Sequence, residues 1–438
     1  MGYCIWKSYN FSQDAWPIFE AVKEEKNCFF LDSGINNTLG RYSFLGFEPF
    51  YILNSKKQNS FEDLRRLLKA HKVKKIKNTP PFLAGAVGFF SYDFGLLLED
   101  KLKGLYKNET LIPDFYFAFY NSIIIIDHLL KELFVFSINQ QSFKKTIQLL
   151  SELDFKRKDR ASDIKYEHQP ESNFLKNDYL KAIKKAKDYI SKGDIYQVNL
   201  SQKFSAKTNL EAGDIYGLLR KTSPSSFSAY LDGGDFQVIS SSPERFLSLK
   251  DRLVHTRPMK GTRPRHLNRR QDKKMEKDLL ESAKDRAELM MIVDLMRNDL
   301  GRVCEYSSIK VKSLRNLEKY KTVFQTTADI TGVLHKDMDA IDLIRASFPG
   351  GSITGCPKIR AMEIIQELEP EPRNIYTGSL GYFSFCGNMD FNILIRTILK
   401  QGNSLSFSVG GGIVADSRPE SEYEETLVKA KGILEAIS

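Results

Sequence analysis

The strand-like runs of this chain are short, apolar and widely separated, and this spacing restricts the fold more than any other feature. Candidate strands cover residues 237–241, 307–311, 377–384, 391–399 and 405–409. Helical periodicity marks residues 178 to about 192, where Ala182, Ile183, Ala186 and Ile190 share one face, and residues 273–299, 358–368 and 420–437. Strands this far apart favour a large α+β sheet sandwich over a doubly wound parallel sheet. Residues 1–150 hold further short strands at 28–32 and 82–90, expected to enter the same layers. Residues 155–177 are polar, nearly free of aliphatic side chains and contain Pro170, which reads as a linker to the second region, 178–438.

The composition, 42% hydrophobic and 27% charged over 438 residues, is that of a globular protein with a large core. The net charge of +10 suits an anionic metabolite as well as nucleic acid. The lysines are scattered, however, and the densest run, 269–277, is broken by Asp272 and Glu276, as on the exposed start of a helix. No nucleic-acid partner is expected. Five dispersed cysteines without a CxxC pair point to reduced thiols in a cytoplasmic protein. Six histidines without HxxxH or HExxH spacing disfavour zinc. The N-terminus lacks a signal-peptide core, and the longest apolar stretch, 115–126, is too short for a membrane span and reads as buried strand.

Chemistry-bearing residues gather in the second region. On the predicted helix 273–299, Asp278, Glu281, Asp285 and Glu288 recur at three- and four-residue spacing and share a stripe. Glu422 and Glu425 share a face of the last helix. Carboxylates converging from two helices would suit Mg²⁺, while the plain alternative is a solvated surface paired with Lys274, Lys277, Lys284 and Lys429. Gly410, Gly411 and Gly412 follow a strand, as in a turn whose amides approach an anion. In the segment 348–358, Gly350 and Gly355 have P-loop spacing, but Cys356-Pro357 stands where Lys-Ser/Thr is required, which rules out a nucleotide loop. Between His255 and Arg265, Lys260 is crowded by Arg257, Arg263 and Arg265. Like charge lowers a lysine pKa and favours a nucleophile; an anion clamp explains the same residues equally well. Glu244 follows a strand and is either a general acid or the ion-pair partner of an arginine.

Seven ordered blocks resemble the chorismate-utilising enzymes, which comprise the first components of anthranilate synthase and aminodeoxychorismate synthase and the isochorismate and salicylate synthases. These are DIYQVNLSQ (194–202), SSPERF, RPMKGTRPR, KDRAELMMIVDLMRNDLGRV (284–303), FPGGSITGCPKIRAMEII, YTGSLGYFSF and SVGGGIVADSRPESEYEET (408–426). LDSG (31–34) and GRYSFLG (40–46) resemble the family's N-terminal domain more weakly. The resemblance implies a multilayer sheet sandwich of the anthranilate synthase component I type. It implies Mg²⁺ on Glu288 and Glu425, with Asp285 and Glu422 as supporting acids. Chorismate contacts are implied for Gly261, Thr262, Tyr376, Arg396 and Gly410 to Gly412, and Glu244 is implied to protonate the departing C4 hydroxyl. Gln197 stands where isochorismate and salicylate synthases have a water-activating lysine. Lys260 stands where anthranilate synthases have alanine, and matches the lysine of aminodeoxychorismate synthases, with anthranilate synthase component I the alternative. Gln325 replaces a histidine common in the family. No glutaminase motif is present, so the implied nitrogen source is ammonia from a glutamine amidotransferase subunit. Ser33, Arg41, Tyr42, Ser43, Ser226, Phe227 and Ser228 match the tryptophan pocket of some relatives only loosely.

Overall fold

The computed structural model describes residues 4–35, 39–55, 60–107, 112–153, 170–321 and 323–437. Among these, strands form a twelve-stranded and a ten-stranded sheet, packed face to face and covered by helices on their outer sides. The strand Ser122–Asp127 shows why the central strands read as continuously apolar. Ile123 and Ile125 point into the cluster between the sheets, whereas Ile124 and Ile126 point outward to the helices Trp16–Val22 and Ala212–Thr222. Side chains alternate across a strand, so burial of both faces removes the polar positions. Phe115–Tyr120 repeats this in the other sheet, with Tyr116 and Ala118 between the sheets and Phe115, Phe117 and Phe119 outside.

Both sheets draw strands from both sequence regions. In the first, Phe29–Asp32 pairs antiparallel with Phe227–Asp232, and in the second, Gly85–Phe90 pairs antiparallel with Ser379–Ser384. The expected linker lies largely outside the described residues; after it, Glu171–Ser172 pairs with the strand Gln197–Lys207.

Four local expectations are corrected. The helix predicted over 273–299 is two helices, Arg269–Glu281 and Ala283–Gly301, separated at Ser282. Ser282 is extended and its hydroxyl accepts from the Asp285 backbone N–H at 3.2 Å, capping the second helix. The four-acid stripe is therefore broken, and Asp278 and Glu281 belong to a different helix from Asp285 and Glu288. The strand predicted over 391–399 splits into Met389–Asn392 in the second sheet and Thr397–Gln401 in the first. Arg396 sits at this crossing with a φ of 51°. Finally, Gly410 to Gly412 do not form a turn. They lie inside the strand Ser404–Ile413, opposite Ser201, Leu200 and Asn199 of the strand Gln197–Lys207. The remaining change is a shift in register, since the strand sought at 307–311 runs instead over Lys310–Lys319.

Candidate active site

The lysine strand, Met259–Pro264, borders the second sheet and lies against the acid helix Ala283–Gly301. Lys260 pairs with Thr326, whose hydroxyl donates to the Lys260 carbonyl at 2.6 Å. The register then shifts across Gly261, which has a φ of 73°. A Cβ there would lie 2.8 Å from Leu279 Cδ1 and 3.1 Å from the Asp285 side chain, so glycine meets both the backbone conformation and the close packing. Burial lowers the Lys260 pKa, Lys429 adds to this, and Glu288 and Glu244 oppose it. The direction is the one expected from the sequence, but the cause differs. Arg257 pairs with Glu318 and lies 3.2 Å from Asp329, Arg263 lies 2.9 Å from Asp285, and Arg265 lies 2.9 Å from Asp272. Each neighbouring arginine thus has a carboxylate partner.

Glu244 ends its strand connection buried, at 4% exposure, and does not pair with its neighbour Arg245, which binds Asp390 at 2.8 Å. Burial pushes the Glu244 carboxyl up to about 7, against the opposing effects of the Ser352 hydroxyl, Lys260 and the Met259 backbone N–H. Ser352 donates to Glu244 Oε1 at 2.6 Å. A carboxyl with this pKa is protonated in about half of the molecules at neutral pH and releases its proton readily. Ser352, in the 3₁₀ turn Gly351–Ile353, went unrecognised in the sequence because its segment reads as glycine-rich loop.

The glycine strand supplies the opposite wall. The place that a Cβ on Gly412 would need is taken by the Gln197 amide, and Lys260 Nζ lies 3.6 Å from it. A Cβ on Gly411, projecting the other way, would stand 3.4 Å from Glu422 Oε2 and 3.7 Å from Glu425 Oε1. These carboxylates come from the last helix, Pro419–Ile437, while Glu288 comes from the acid helix. Lys284 connects the two helices, 3.9 Å from Glu288 and 3.6 Å from Glu422. Lys429 lies 2.7 Å from Glu425 and donates to the Gly410 carbonyl at 2.9 Å.

The carboxylate oxygens of Glu288 and Glu425 are the hard donors that Mg²⁺ prefers, and the bare backbone at Gly411 leaves room beside Glu422 and Glu425. The fit is one of donor chemistry, because Lys284 and Lys429 supply the positive charge there. No group of three or more acid, histidine or cysteine side chains is arranged to hold a metal among the described residues. Burial raises the Glu288 pKa over the opposing Lys260 and Lys284. Burial acts the same way on Glu425, but Lys429, together with Lys284 and Lys260, outweighs it and holds that carboxyl below its ordinary value. The two expected supporting acids have other partners. Asp285 binds Arg263, and Glu422 accepts from the Ser417 hydroxyl at 2.6 Å.

Thr262 is exposed and its hydroxyl accepts from Gln325 Nε2 at 3.3 Å. Tyr376 is buried beside Arg373, whose guanidinium binds Glu369 at 2.7 Å and the Asn199 carbonyl at 2.7 Å. Burial lowers the Arg396 pKa, and Arg396 Nη1 reaches Ser223 Oγ at 3.5 Å. A separate cavity of about 500 Å³ is lined by Ser33, Arg41, Tyr42, Ser226, Phe227 and Ser228, together with Arg245 and Asp390. Ser43 does not line it; its hydroxyl binds Asp32 and His128. The charge on Arg41 is met by Asp127 at 2.7 Å.

An amine whose pKa burial lowers, a carboxyl raised to about 7 and acidic groups from two helices thus come together on a fold of two antiparallel sheets. Residues 26–435 match the chorismate binding enzyme family. The chain is 38% identical to aminodeoxychorismate synthase component 1 of Bacillus subtilis, over 91% of this chain and 89% of the relative. It is also 38% identical to anthranilate synthase component 1 of Aquifex aeolicus, over 91% and 86%. The crystal structure of anthranilate synthase component I from Streptococcus pneumoniae superposes with a TM-score of 0.79 at 30% identity, covering 91% of this chain and 93% of that one. The menaquinone-specific isochorismate synthase of Escherichia coli, at 17% identity and a TM-score of 0.77, shares the fold, covering 100% of this chain and 95% of that one. The chain belongs to the chorismate-binding enzyme family and is a chorismate-utilising enzyme.

Proposed function

We propose that this chain is the first component of an aminodeoxychorismate synthase, forming 4-amino-4-deoxychorismate from chorismate and ammonia for para-aminobenzoate and folate synthesis. The observation that carries the reading is the pairing of Lys260, whose pKa burial lowers, with Glu244, whose carboxyl burial raises to about 7. A neutral amine attacks carbon, and a protonated carboxyl releases hydroxide as water. The Lys260 nitrogen bonds to C2 of chorismate, both ring double bonds shift by one position, and the C4–O bond breaks as oxygen takes the Glu244 proton. The secondary ammonium at C2 is then the leaving group. Ammonia bonds to C4, the double bonds shift back, and Lys260 departs as a neutral amine. The new C4 ammonium sheds a proton that restores Glu244.

Glu288 and Glu425 would hold Mg²⁺, which supplies positive charge for a substrate carboxylate. Thr262, Tyr376, Arg396 and the open backbone at Gly410 to Gly412 would fix the ring so that Lys260 meets one face. A glutamine amidotransferase subunit would deliver the ammonia. The Aquifex aeolicus relative supports anthranilate as a second reading. Incubation with chorismate, Mg²⁺ and ammonium, followed by product analysis, separates the two: 4-amino-4-deoxychorismate is expected, and anthranilate alone refutes the assignment. Intact-mass measurement should show a chorismate-derived adduct on the wild type that Lys260→Ala lacks; an equal adduct on both would identify another nucleophile.

A further inference from the structure

We infer that Gln325 is a positioning residue that acts through Thr262, aiming the threonine hydroxyl proton at a substrate oxygen. This rests on the reading above, in which Thr262 contacts chorismate. Gln325 lies on the strand Val323–Val333, between the lysine strand and the strand Lys310–Lys319, opposite Thr262 on one side and Glu318 on the other. It is 8% exposed. Its Nε2 donates to Thr262 Oγ1 at 3.3 Å, while its buried Oε1 has no hydrogen-bond partner among the described residues.

Two chemical arguments follow. A threonine hydroxyl has one proton and accepts through its lone pairs. Because the amide of Gln325 fills an acceptor position on Thr262, the proton of that hydroxyl is left to donate outward. Chorismate presents carboxylate and ether oxygens and a single hydroxyl, so most of what it offers are acceptors. A Thr262 that donates suits such a ligand, and one that accepts does not. The unpartnered Oε1 is the second argument. Leaving a buried acceptor unpaired costs stability, and such exceptions concentrate where a ligand completes the pairing. With this substrate the donors available to it are the C4 hydroxyl and the nitrogen that replaces it.

The bulge at Gly261 explains why the contact depends on a side chain at position 325. Across it, Lys260 stands opposite Thr326 while Thr262 stands opposite Gln325. Adjacent residues of the strand Val323–Val333 face opposite sides, so Thr326 secures the lysine backbone and Gln325 secures the threonine side chain. The two supports are thus separable by mutation.

The test is steady-state kinetics with chorismate, Mg²⁺ and ammonium on the full chain, with thermal melting measured in parallel. Gln325→Met keeps the shape and removes both polar atoms; KM for chorismate should rise about tenfold or more, the range of a hydrogen bond to a charged group, with kcat within about twofold. Its melting temperature should equal or exceed that of the wild type, because a buried unpaired oxygen is removed. Gln325→Glu, ionised, reverses the contact and draws the Thr262 proton inward, so KM should rise further and recover as pH falls and the carboxyl protonates. Thr262→Val should raise KM as Gln325→Met does, and the double variant Thr262→Val/Gln325→Met should be no worse than Thr262→Val alone. A Gln325→Met enzyme with wild-type KM, or a double variant whose losses multiply, overturns the inference while chorismate turnover by the wild type stands. Failure of the wild type to consume chorismate overturns the functional reading itself.

Discussion

The proton of Glu244 is the most direct quantity to perturb, because one hydroxyl adjusts it. Ser352 donates to Glu244 Oε1 at 2.6 Å and so favours the ionised carboxylate. Burial acts in the opposite direction and prevails, holding the carboxyl at about 7. A hydrogen bond to a charged acceptor contributes about 1.5–3 kcal/mol. At about 1.4 kcal/mol per pKa unit, Ser352→Ala should raise the Glu244 pKa by about one to two units. In the proposed mechanism Glu244 is the acid, so activity should fall as pH rises through its pKa. The alkaline limb of kcat/KM, near pH 7 in the wild type, should therefore move toward pH 8 or above in Ser352→Ala. The assay is kcat/KM for chorismate between about pH 5.5 and 9.5, with Glu244→Gln as the reference that lacks a transferable proton. An alkaline limb that stays in place, or moves down, refutes the assignment of that limb to Glu244. Stability gives an independent check of the sign. The folded pKa lies above the ordinary carboxyl value of 4.5, so the folded state holds its proton more tightly. This contribution is fully present below about pH 4.5 and is lost as pH rises through about 7.

The glycine strand offers a contrast within three residues. Gly410→Ala would put a Cβ 2.5 Å from the Leu200 carbonyl and should destabilise the fold by about 1–3 kcal/mol in denaturant melts, as overpacking does. Gly412→Ala meets the end of the Gln197 side chain, which can move, so melting should change little while kcat falls at least about tenfold. Equal melting losses in the two variants would contradict this division. Glu288→Gln removes one of the two proposed Mg²⁺ ligands and should weaken both turnover and Mg²⁺ binding by calorimetry; an unchanged Mg²⁺ titration would return that carboxylate to a surface role. Gly261→Ala combines a strained φ with a 2.8 Å approach to Leu279 Cδ1, and should lower stability by about 1 kcal/mol or more. A wild-type melt would show that the bulge relaxes freely.

The parts of this fold that sequence periodicity captures are those whose environment is uniform along their length. The helices Lys358–Leu368 and Pro419–Ile437 each bury one face, with Ala361, Met362, Ile364 and Ile365 in the first and Ala430 and Ile433 in the second, and lie where the pattern puts them. Elements that change environment midway are less visible. Residues 391–399 remain apolar on both sides of a crossing between sheets, and the change is carried by the backbone at Arg396. Acid spacing continues across Ser282, although the chain leaves the helix there and starts another. Ser282 and Asp285 do form a cap signal, but the surrounding charge pattern conceals it. Three consecutive glycines resemble a turn because turns are where glycine is commonest. Here they stay in a strand, and their lack of side chains leaves space for Gln197 and the lysine on one side and two carboxylates on the other.

The electrostatics of Lys260 show why a local charge count is not enough. Three arginines within five residues suggest a lysine depressed by repulsion, yet Glu318, Asp329, Asp285 and Asp272 meet those charges. What lowers the lysine is burial, with Lys429 of the last helix, 169 positions later, adding to it. Glu288 and Glu244 pull in the opposite direction, so the amine is held between groups that arrive from three separate segments. This arrangement ties Lys260 to the acids of both helices. Lys429 also pairs with Glu425, and Lys284 connects Glu288 to Glu422, so a cation binding among those acids would reduce their pull on Lys260 and favour its neutral form. Substrate carboxylates would act in the reverse sense and hold the lysine protonated. In the proposed mechanism, a metal that neutralised them would therefore do more than anchor the substrate: it would leave the amine able to attack C2 while the dianionic substrate is bound.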